Sequence, residues 1–377
     1  MKPLEPIRVV HVGKFYSPAT GGMERVLESL CEGATSGVES RVIVFNDRRT
    51  TVREVVRGVP VTRVGTVGQA GSVPIAPSLP AEIRRARGDV LIVHEPNPWA
   101  LLSLAIARPA LPTAVWFHSE VVRPRGQYAL FYHPLARGAY QGAHRIVVSS
   151  PPLGEHAAAL QPYREKVRVI PFGIEMSQWE ATPSVCARAA EIRAEVNGRP
   201  LILFVGRMVP YKGVDVLLRA LVGLDASAIL IGDGPSRPGW TALARDLGLT
   251  DRVRFAGEVT HGELAASYHA CDTFVLPSVT RAEAFGYVQL EAMTCGKPVV
   301  STRVPSGVPW VNRHGESGLT VPPGDVDALR RALAELAADA SLRARFGSSG
   351  LRRVQTEFTI DIMRSTAEAL YREVAAS

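Results

Sequence analysis

Short, almost uninterrupted apolar runs recur along the chain, and segments with helical spacing lie between them. Such runs are typical of parallel strands that are covered on both faces. The alternation of strands and helices predicts a doubly wound α/β domain. In the first half, the predicted strands are Ile7–Val12, Arg41–Phe45, Val90–Val93, Ala114–Phe117, Arg145–Ser149 and Val167–Ile170, and the predicted helices include Met23–Ala34 and Leu153–Leu160.

The pattern begins again after residues 174–199, which we interpret as a hinge region. A chain of 377 residues has the length of two such domains. We expect ligands to bind in a cleft at the carboxyl ends of both sheets. The second set of predicted strands is Leu201–Val205, Ala228–Ile231, Val253–Phe255, Thr273–Leu276 and Pro298–Ser301, with helices at Val214–Leu221, Trp240–Leu247, Glu263–His269, Gly286–Cys295 and Ala328–Leu336 and a final helical segment from about Phe358.

The composition is that of an ordinary globular protein, with 46% hydrophobic and 21% charged residues. The N-terminus carries charge and proline where an export signal needs an apolar run, and no stretch is long and apolar enough to span a membrane. The four cysteines are scattered, which favours a soluble, reduced cytoplasmic protein without structural zinc.

The net charge of +7 lies entirely in the first half of the chain. Residues 1–175 hold 21 Lys/Arg against 14 Asp/Glu, whereas residues 176–377 hold 22 of each. A basic, aromatic segment at residues 126–144 includes Arg137 and has Arg123, Arg125 and Arg145 beside it. Two interpretations stay open, a core-packed helix with surface arginines and peripheral binding to the anionic inner face of the plasma membrane. We expect no nucleic-acid partner.

The strongest chemical signal is Arg-Ala-Glu-Ala-Phe-Gly-Tyr-Val-Gln-Leu-Glu-Ala-Met at residues 281–293. It places Glu283 just before a predicted helix and Glu291 inside that helix. Two separated carboxylates suit the ends of an elongated polyhydroxyl ligand, and the helix N-terminus between them favours a diphosphate. The alternative, two glutamates on a solvated helix face, poorly explains the apolar surroundings of Glu291.

A second signal is Phe-Val-Gly-Arg-Met-Val-Pro-Tyr-Lys-Gly at residues 204–213. A strand ends at Gly206, and the following loop supplies Arg207 and Lys212. The rigid fork of arginine and the point charge of lysine together suit a diphosphate leaving group. Isolated basic loop residues are the alternative interpretation.

Several weaker signals lie at other strand ends. Gly21 and Gly22 allow a backbone to approach a phosphate. His118 follows a strand and faces the expected cleft. His94 has a similar position after another strand and is a weaker candidate. The Asp325-Val-Asp327 sequence precedes a helix, so we interpret it as an N-cap rather than a metal site. We find no His/Asp/Glu cluster with the spacing of a catalytic metal site. The sequence lacks the GxGxxG fingerprint, because Arg237 replaces the third glycine after Gly232 and Gly234 and we expect no helix to open directly there.

Taken together, these residues resemble the retaining glycosyltransferases of family 4, which have the GT-B fold of two Rossmann-like domains with parallel sheets facing across a cleft. The resemblance covers nearly the whole chain. It implies an N-terminal acceptor domain at residues 1–175, completed by a C-terminal helix at residues 358–377, and a donor domain at residues 176–357. Its anchors are Glu283 with Glu291, Gly206 and Arg207 with Lys212 and Gly213, and Gly21 with Gly22, while Phe255-Ala-Gly257 is a weaker match.

The resemblance implies roles for these residues. Glu291 would bind the ribose hydroxyls and Glu283 the transferred sugar, while Arg207 and Lys212 would neutralise the diphosphate. His118 would contact the donor sugar. The backbone amides at Gly22 and at Phe285, Gly286, Tyr287 and Val288 would assist, and Gly21, Gly206 and Gly257 would belong to the donor site.

The implied reaction is transfer of a hexose with retention, without a cofactor or metal. The acceptor hydroxyl attacks from the face that the diphosphate leaves, and a covalent route through Glu283 is the alternative. The Ser306-Gly-Val-Pro-Trp-Val-Asn312 run is similar to members that assemble bacterial polysaccharides or lipid-linked glycans, often from GDP-mannose. We therefore expect a GDP-mannose donor, with a UDP-sugar left open, and a glycan or polyprenyl-linked acceptor.

Two other functions compete with this interpretation. An NAD-dependent epimerase or oxidoreductase would use tandem Rossmann domains but needs the missing glycine fingerprint. A non-catalytic nucleotide-sugar binding subunit would not need both the Glu283/Glu291 and the Arg207/Lys212 pairs.

Overall fold

The structure is a computed structural model that describes residues 5–19, 21–33, 37–71, 73–121 and 127–377. The chain divides into two compact units. Unit 1 consists of residues 1–173 and 360–377, and unit 2 consists of residues 174–359. No helix in these described ranges is long and apolar enough to cross a membrane.

Unit 1 is built on a sheet whose strand order is β10-β9-β8-β7-β1-β2-β4-β3. All neighbouring strands are parallel except β3 and β4. β5 and β6 form a separate antiparallel pair. The strands are β1 (Ile7–Val12), β2 (Val38–Phe45), β3 (Val52–Val56), β4 (Val59–Val64), β5 (Gly68–Ala70), β6 (Val73–Ile75), β7 (Val90–Glu95), β8 (Thr113–Phe117), β9 (Arg145–Val148) and β10 (Val167–Val169).

Helices cover this sheet, and local sequence signals fix where several of them begin. The Asn97 side chain accepts the N–H of Ala100, and the Ser150 hydroxyl accepts that of Leu153, so each residue caps a helix that starts with proline. The helices of the first segment are α1 (Gly22–Cys31), α2 (Leu79–Arg85), α3 (Pro98–Ala107), α4 (Gln127–Gly142) and α5 (Pro151–His156), followed by a 3₁₀ segment at Ala158–Lys166.

Unit 2 contains a fully parallel sheet in the order β13-β12-β11-β14-β15-β16. Its central strands are buried along their whole length, as expected for a sheet with helices on both faces. The strands are β11 (Leu201–Val205), β12 (Ser227–Ile231), β13 (Val253–Gly257), β14 (Thr273–Leu276), β15 (Val299–Thr302) and β16 (Gly318–Val321). The helices are α6 (Pro183–Glu195), α7 (Val214–Leu221), α8 (Arg237–Asp246), α9 (His261–Ala270), α10 (Val288–Thr294), α11 (Val308–Val311), α12 (Val326–Ala338) and α13 (Ala340–Glu357).

The last helix, α14 (Ile360–Ala375), belongs to unit 1 although it follows unit 2 in sequence. It packs on α1 and on β1 and β7. The Arg364 guanidinium donates to the backbone carbonyls of Ser29 and Glu32 at the end of α1. Tyr371 is buried. The C-terminal segment therefore completes the core of the N-terminal unit.

Some sequence predictions of element bounds are wrong. The predicted helix Leu153–Leu160 is α5 plus a 3₁₀ segment, because Ala157 is extended and separates them. The predicted helix Trp240–Leu247 begins earlier, at Arg237, since Pro238 is well tolerated in a first turn. The predicted helix Gly286–Cys295 begins only at Val288. Ala34, the predicted end of α1, lies outside the described residues.

Candidate active site

Lys212 and Glu283 form a buried ion pair in unit 2. The Lys212 Nζ lies 2.5 Å from the Glu283 Oε2, and both side chains are almost fully buried. The Ser278 hydroxyl donates to the same Oε2 at 3.0 Å. The other carboxylate oxygen, Oε1, accepts no hydrogen bond from the described residues. The pair thus leaves one oxygen of Glu283 available to a ligand.

Two loops at the carboxyl ends of β11 and β14 bring this pair together. The Val279 N–H donates to the Tyr211 carbonyl at 2.8 Å, which ties the loops to each other. Gly213 follows Lys212 with φ of +67°, and a Cβ there would lie 2.1 Å from the Pro277 carbonyl oxygen. Only glycine permits this close approach, so the Gly-Arg…Lys-Gly motif folds the lysine back onto the β14 loop.

Charge explains how a lysine is tolerated in this environment. Burial alone would lower the pKa of Lys212, but the carboxylates of Glu283 and Glu291 and the other groups around it outweigh burial, so the pKa lies above its usual value. Lys212 is therefore a permanent cation at neutral pH. Its charge contacts the carboxylate of Glu283 and is further stabilised electrostatically by that of Glu291.

Arg207 lies on the same loop but in a different environment. Its side chain is exposed, and this side chain forms no hydrogen bond or ion pair with any other described residue. Gly206, just before it, donates its N–H to the Ile231 carbonyl at 3.0 Å. On the next loop along the sheet, the Gly257 carbonyl accepts the Gly232 N–H at 2.7 Å. The loop after β11 thus carries a paired cation, Lys212, and an unpaired one, Arg207. It lies beside the loops that follow β12 and β13.

Glu291 lies on α10 and is almost fully buried, at 1% exposure. The Tyr268 hydroxyl from α9 donates to its Oε2 at 2.7 Å, and burial raises the pKa of that tyrosine well above its usual value. Trp179 packs edge-on against the Tyr268 ring. Glu291 is therefore held in place by its neighbours and is not a surface residue, which contradicts the alternative of a solvated helix face.

The segment between the two glutamates enters α10 directly. Phe285 is buried, Gly286 has φ of +72°, and Tyr287 is the N-cap of α10, which begins at Val288. A Cβ at Gly286 would lie 2.6 Å from Leu276, so glycine is required at this turn. The helix has seven residues, and its first N–H groups have no acceptor within the helix.

The predicted residues of unit 1 lie at the ends of other strands. Gly21 and Gly22 begin α1, and a Cβ at Gly22 would meet no described atom within 4 Å. His118 follows β8 and is 5% exposed. The His118 Nε2 lies 2.9 Å from the His94 Nδ1, and the His94 Nε2 lies 3.0 Å from the His11 Nδ1. Three buried imidazoles therefore form one row.

Two family models match most of this chain. The model for "Glycosyltransferase Family 4" matches residues 20–178, and the model for "Glycosyl transferases group 1" matches residues 188–353. The D-rhamnosyltransferase WbpZ of Pseudomonas aeruginosa is 33% identical over 331 residues, which cover 87% of this chain and 86% of that protein. The O-antigen chain mannosyltransferase C of Escherichia coli is 30% identical over 375 residues, with 98% and 100% covered.

The chain belongs to family 4 of the glycosyltransferases. It is an enzyme that transfers a sugar. The two rival interpretations, an NAD-dependent enzyme and a non-catalytic subunit, are therefore wrong.

Solved structures show the fold of this glycosyltransferase. The sucrose-phosphate synthase of Thermosynechococcus elongatus has a TM-score of 0.83 at 22% identity and covers 98% of this chain and 100% of its own. HepE of Anabaena, solved with UDP and glucose, has a TM-score of 0.78 at 21% identity, with 97% and 100% covered. The predicted GT-B fold is confirmed.

Structure also clarifies several sequence features of the glycosyltransferase. The Asp325 carboxylate accepts the Ala328 N–H at 2.8 Å and caps α12, so the N-cap interpretation is confirmed. No group of three or more potential metal ligands occurs within the ranges that the structure describes. Asn312 is buried and bonds to β15 and β16 through Val299 and Leu319, which gives the Ser306–Asn312 run a structural role.

Several residues of the site carry no recognisable signal in the sequence. Ser278 and Tyr268 carry no motif, and only the structure shows that they hold the two glutamates. His11 lies within β1, where a lone histidine in an apolar strand gives no chemical signal. Its neighbours could be suspected only from the strand order, because β1, β7 and β8 are adjacent and each carries a histidine near its end.

Proposed function

We propose that this enzyme transfers a hexose, with mannose favoured, from a nucleotide diphosphate-sugar. The transfer retains the anomeric configuration and needs no metal. The observation that carries the proposal is the pairing of Lys212 with Glu283 beside the unpaired Arg207. It brings the predicted phosphate-binding cation and the predicted sugar-binding carboxylate into direct contact.

The cations stabilise the leaving group in this mechanism. Negative charge develops on the departing diphosphate, and positioned cations in a site of low dielectric stabilise that charge. Arg207 reaches the phosphates from the exposed side of the loop, and Lys212 holds its charge permanently. Side chains thereby supply the positive charge that a divalent metal provides elsewhere.

Glu283 positions the sugar in this proposal. Its Oε2 already accepts from Lys212 and Ser278, and its Oε1 is available to accept from a sugar hydroxyl. Two strong donors on one oxygen make a carboxylate a weaker nucleophile. The geometry therefore supports front-side attack by the acceptor hydroxyl, with the leaving phosphate taking the proton, over the covalent route through Glu283.

Glu291 would bind the ribose of the donor nucleotide. A buried carboxylate fixed by the Tyr268 hydroxyl has a defined orientation, which suits the recognition of neighbouring hydroxyl groups. In unit 1, the open space at Gly22 suits the approach of a diphosphate to the start of α1. His118 would contact the transferred sugar or its phosphate.

The relatives support the choice of donor and acceptor. One is named an O-antigen chain mannosyltransferase and matches nearly the whole chain. Another, from Mycolicibacterium smegmatis, is named a GDP-mannose-dependent phosphatidylinositol monomannoside mannosyltransferase and is 35% identical over 191 residues. These names support GDP-mannose as donor and a glycan or lipid-linked acceptor.

Arg207→Ala tests the role of the unpaired cation. We expect turnover of the donor to fall at least a hundredfold, about 2.7 kcal/mol of barrier, without loss of folding. Arg245→Ala, at another exposed arginine of unit 2, is the matched control and should retain full activity. Near-normal turnover of the Arg207 variant would disprove the proposed role.

A panel of GDP-, UDP- and ADP-sugars, assayed with and without EDTA, tests the donor and the metal. We expect GDP-mannose to be hydrolysed or transferred fastest and EDTA to change nothing. Proton NMR of the product then reports the anomeric configuration. Preference for a UDP-sugar, inhibition by EDTA or an inverted product would each contradict its own part of the proposal.

A further inference from the structure

The row of histidines in unit 1 has a definite order. His11 on β1, His94 on β7 and His118 after β8 are 0%, 1% and 5% exposed. The His118 N–H of the backbone donates to the Glu95 carbonyl at 2.9 Å, which fixes the residue at the end of β8. The two contacts between ring nitrogens, 3.0 and 2.9 Å, have the length of hydrogen bonds.

All three rings are neutral at physiological pH. Burial lowers the pKa of His11 and of His118 to about 3, and burial together with the neighbouring histidines lowers the pKa of His94 well below its usual value. Aromatic rings surround the row. Trp116 stacks on His94 with 5.8 Å between the centroids, and Phe172 packs on His118 at 5.7 Å.

A neutral imidazole has one N–H and one lone pair, so the two hydrogen bonds must run in the same direction. In one direction, His11 Nδ1–H donates to His94, and His94 Nδ1–H donates to the Nε2 of His118. His118 then carries its own proton on Nδ1. In the reverse direction, every ring carries its proton on Nε2.

The far end of the row decides between the two directions. The His11 Nε2 is buried and has no hydrogen-bond partner among the described residues. In the first direction this atom is an unpaired lone pair, and in the reverse direction it is an unpaired N–H. Buried N–H groups without a partner are the rarer case in folded proteins, so the first direction is favoured.

We propose that His11 and His94 are positioning residues that hold His118 as the Nδ1–H tautomer. The Nδ1 of His118 forms no hydrogen bond with any described residue, so this N–H is the group that His118 offers to a ligand. This proposal rests on the proposed role of His118 in donor binding. It deepens that role, because His118 then recognises a sugar hydroxyl or phosphate oxygen as a hydrogen-bond donor and cannot act as a base.

Long-range proton–nitrogen NMR of the full chain, labelled with ¹⁵N-histidine, tests the tautomers directly. We expect His11, His94 and His118 all to carry their proton on Nδ1 at pH 7.5, with each signal assigned from its own variant. The exposed His133 provides the reference for a ring in exchange with water. An Nε2–H tautomer or a doubly protonated ring at His118 would overturn the proposal.

Two substitutions at His11 separate positioning from packing. His11→Asn keeps a donor near the place of Nδ1, whereas His11→Leu removes it. We expect His11→Leu to shift the tautomer of His118 and to raise the KM for the donor about tenfold, the value of one hydrogen bond, while His11→Asn stays near wild type. Equal effects of both variants on the NMR signal and KM, or no effect of either, would contradict the proposal.

The proposed function and the proposed tautomers of the histidines can be contradicted independently of each other. The NMR measurement on the wild-type chain needs neither activity nor a stable His11→Leu variant. An inactive wild type with all three protons on Nδ1 would contradict the proposed function and leave the order of the histidines intact. Full activity with the reverse tautomers would support the proposed function and contradict the proposed tautomers of the histidines.

Discussion

At the scale of single residues, the two cations of the β11 loop differ in how much the fold depends on them. Lys212→Ala leaves the buried carboxylate of Glu283 without its counter-charge, and we expect the free energy of unfolding to fall by about 3 kcal/mol. Arg207→Ala removes an exposed, unpaired side chain and should change that free energy by less than about 0.5 kcal/mol. Urea unfolding of both variants measures the contrast.

The double variant Lys212→Met/Glu283→Gln serves as the control for this prediction. It removes both charges from the buried site, so it should be more stable than Lys212→Ala alone. If Lys212→Ala is no less stable than Arg207→Ala, the pair is not buried in the free enzyme.

The buried carboxyl of Glu95 should make the free energy of unfolding depend on pH. Its burial raises the pKa of the carboxyl from 4.5 to about 7, although the Tyr132 hydroxyl donates to it. The folded state therefore binds this proton more tightly than the unfolded state. The contribution of Glu95 to the free energy of unfolding is fully present below pH 4.5 and is lost as the pH rises through about 7.

Glu95→Gln keeps an acceptor for Tyr132 and removes the titration. We expect the variant to gain stability relative to wild type as the pH rises from 4.5 to 7, by about 3 kcal/mol at the upper end. Urea unfolding of both proteins at pH 5 and pH 8 measures the change, and the buried histidines cancel in the comparison. A difference that does not vary with pH would show that Glu95 titrates normally in the folded chain.

The sequence identifies single site residues at this scale, but it does not identify contacts between residues that are distant along the chain. Glu283, Glu291, Arg207 and Lys212 are recognisable because each lies in a motif. That Lys212 contacts Glu283 depends on which loops lie side by side, and that Tyr268 holds Glu291 depends on which helices do. The sheet order supplies that information, and the local sequence does not.

At the scale of elements, a Gly22→Ala substitution tests whether the start of α1 binds the donor diphosphate. A Cβ at Gly22 meets no described atom within 4 Å, so Gly22→Ala should leave the free energy of unfolding unchanged or raise it by up to about 1 kcal/mol. If a diphosphate approaches this backbone, the same methyl group should lower donor turnover about tenfold or more. Steady-state kinetics and thermal unfolding measure the two effects.

Gly262→Ala is the matched control at the start of α9. A Cβ there also meets nothing within 4 Å, so the effect on stability should be similar. Turnover should not change, because no donor contact is proposed at α9. Unchanged turnover in Gly22→Ala would remove the start of α1 from the donor site.

The elements that sequence reasoning found are those with a strong local signal. Buried strands such as β7 and β11 are continuous apolar runs, and both were predicted. β3 was missed because its sequence, Val-Arg-Glu-Val-Val, has neither a continuous apolar run nor regular alternation, and the strand is mostly exposed at the sheet edge. β16 was missed because it starts with glycine, a residue that is depleted in strands. Edge and short strands are defined by their partners more than by their own composition.

At the scale of the whole molecule, the net positive charge lies entirely in unit 1. Unit 1 holds 23 Lys/Arg against 16 Asp/Glu, and unit 2 holds 20 of each. In α4, Tyr132 and Tyr140 are buried, while Leu130 is 75% exposed and Arg137 is exposed. The tyrosines fit the core-packed interpretation of this segment, and the exposed side chains suit a membrane surface. Arg123, Arg125 and Gly126 lie outside the described residues.

We therefore expect the enzyme to co-sediment with vesicles that contain anionic phospholipid and to be released as salt is raised. Arg137→Glu should weaken this binding, and Arg245→Glu in unit 2, the matched control, should not. Equal binding to neutral phosphatidylcholine vesicles would rule out an electrostatic surface.

The return of α14 to unit 1 has a consequence for biosynthesis. Unit 2 is one continuous stretch of chain, so its synthesis is complete before that of α14 begins. Unit 1 begins first but lacks the helix that packs on α1, β1 and β7 until α14 itself has been made. We therefore expect the usual order, in which the N-terminal part of a nascent chain matures first, to be reversed, and a polypeptide truncated before residue 360 to hold all of unit 2 and an N-terminal sheet without α14.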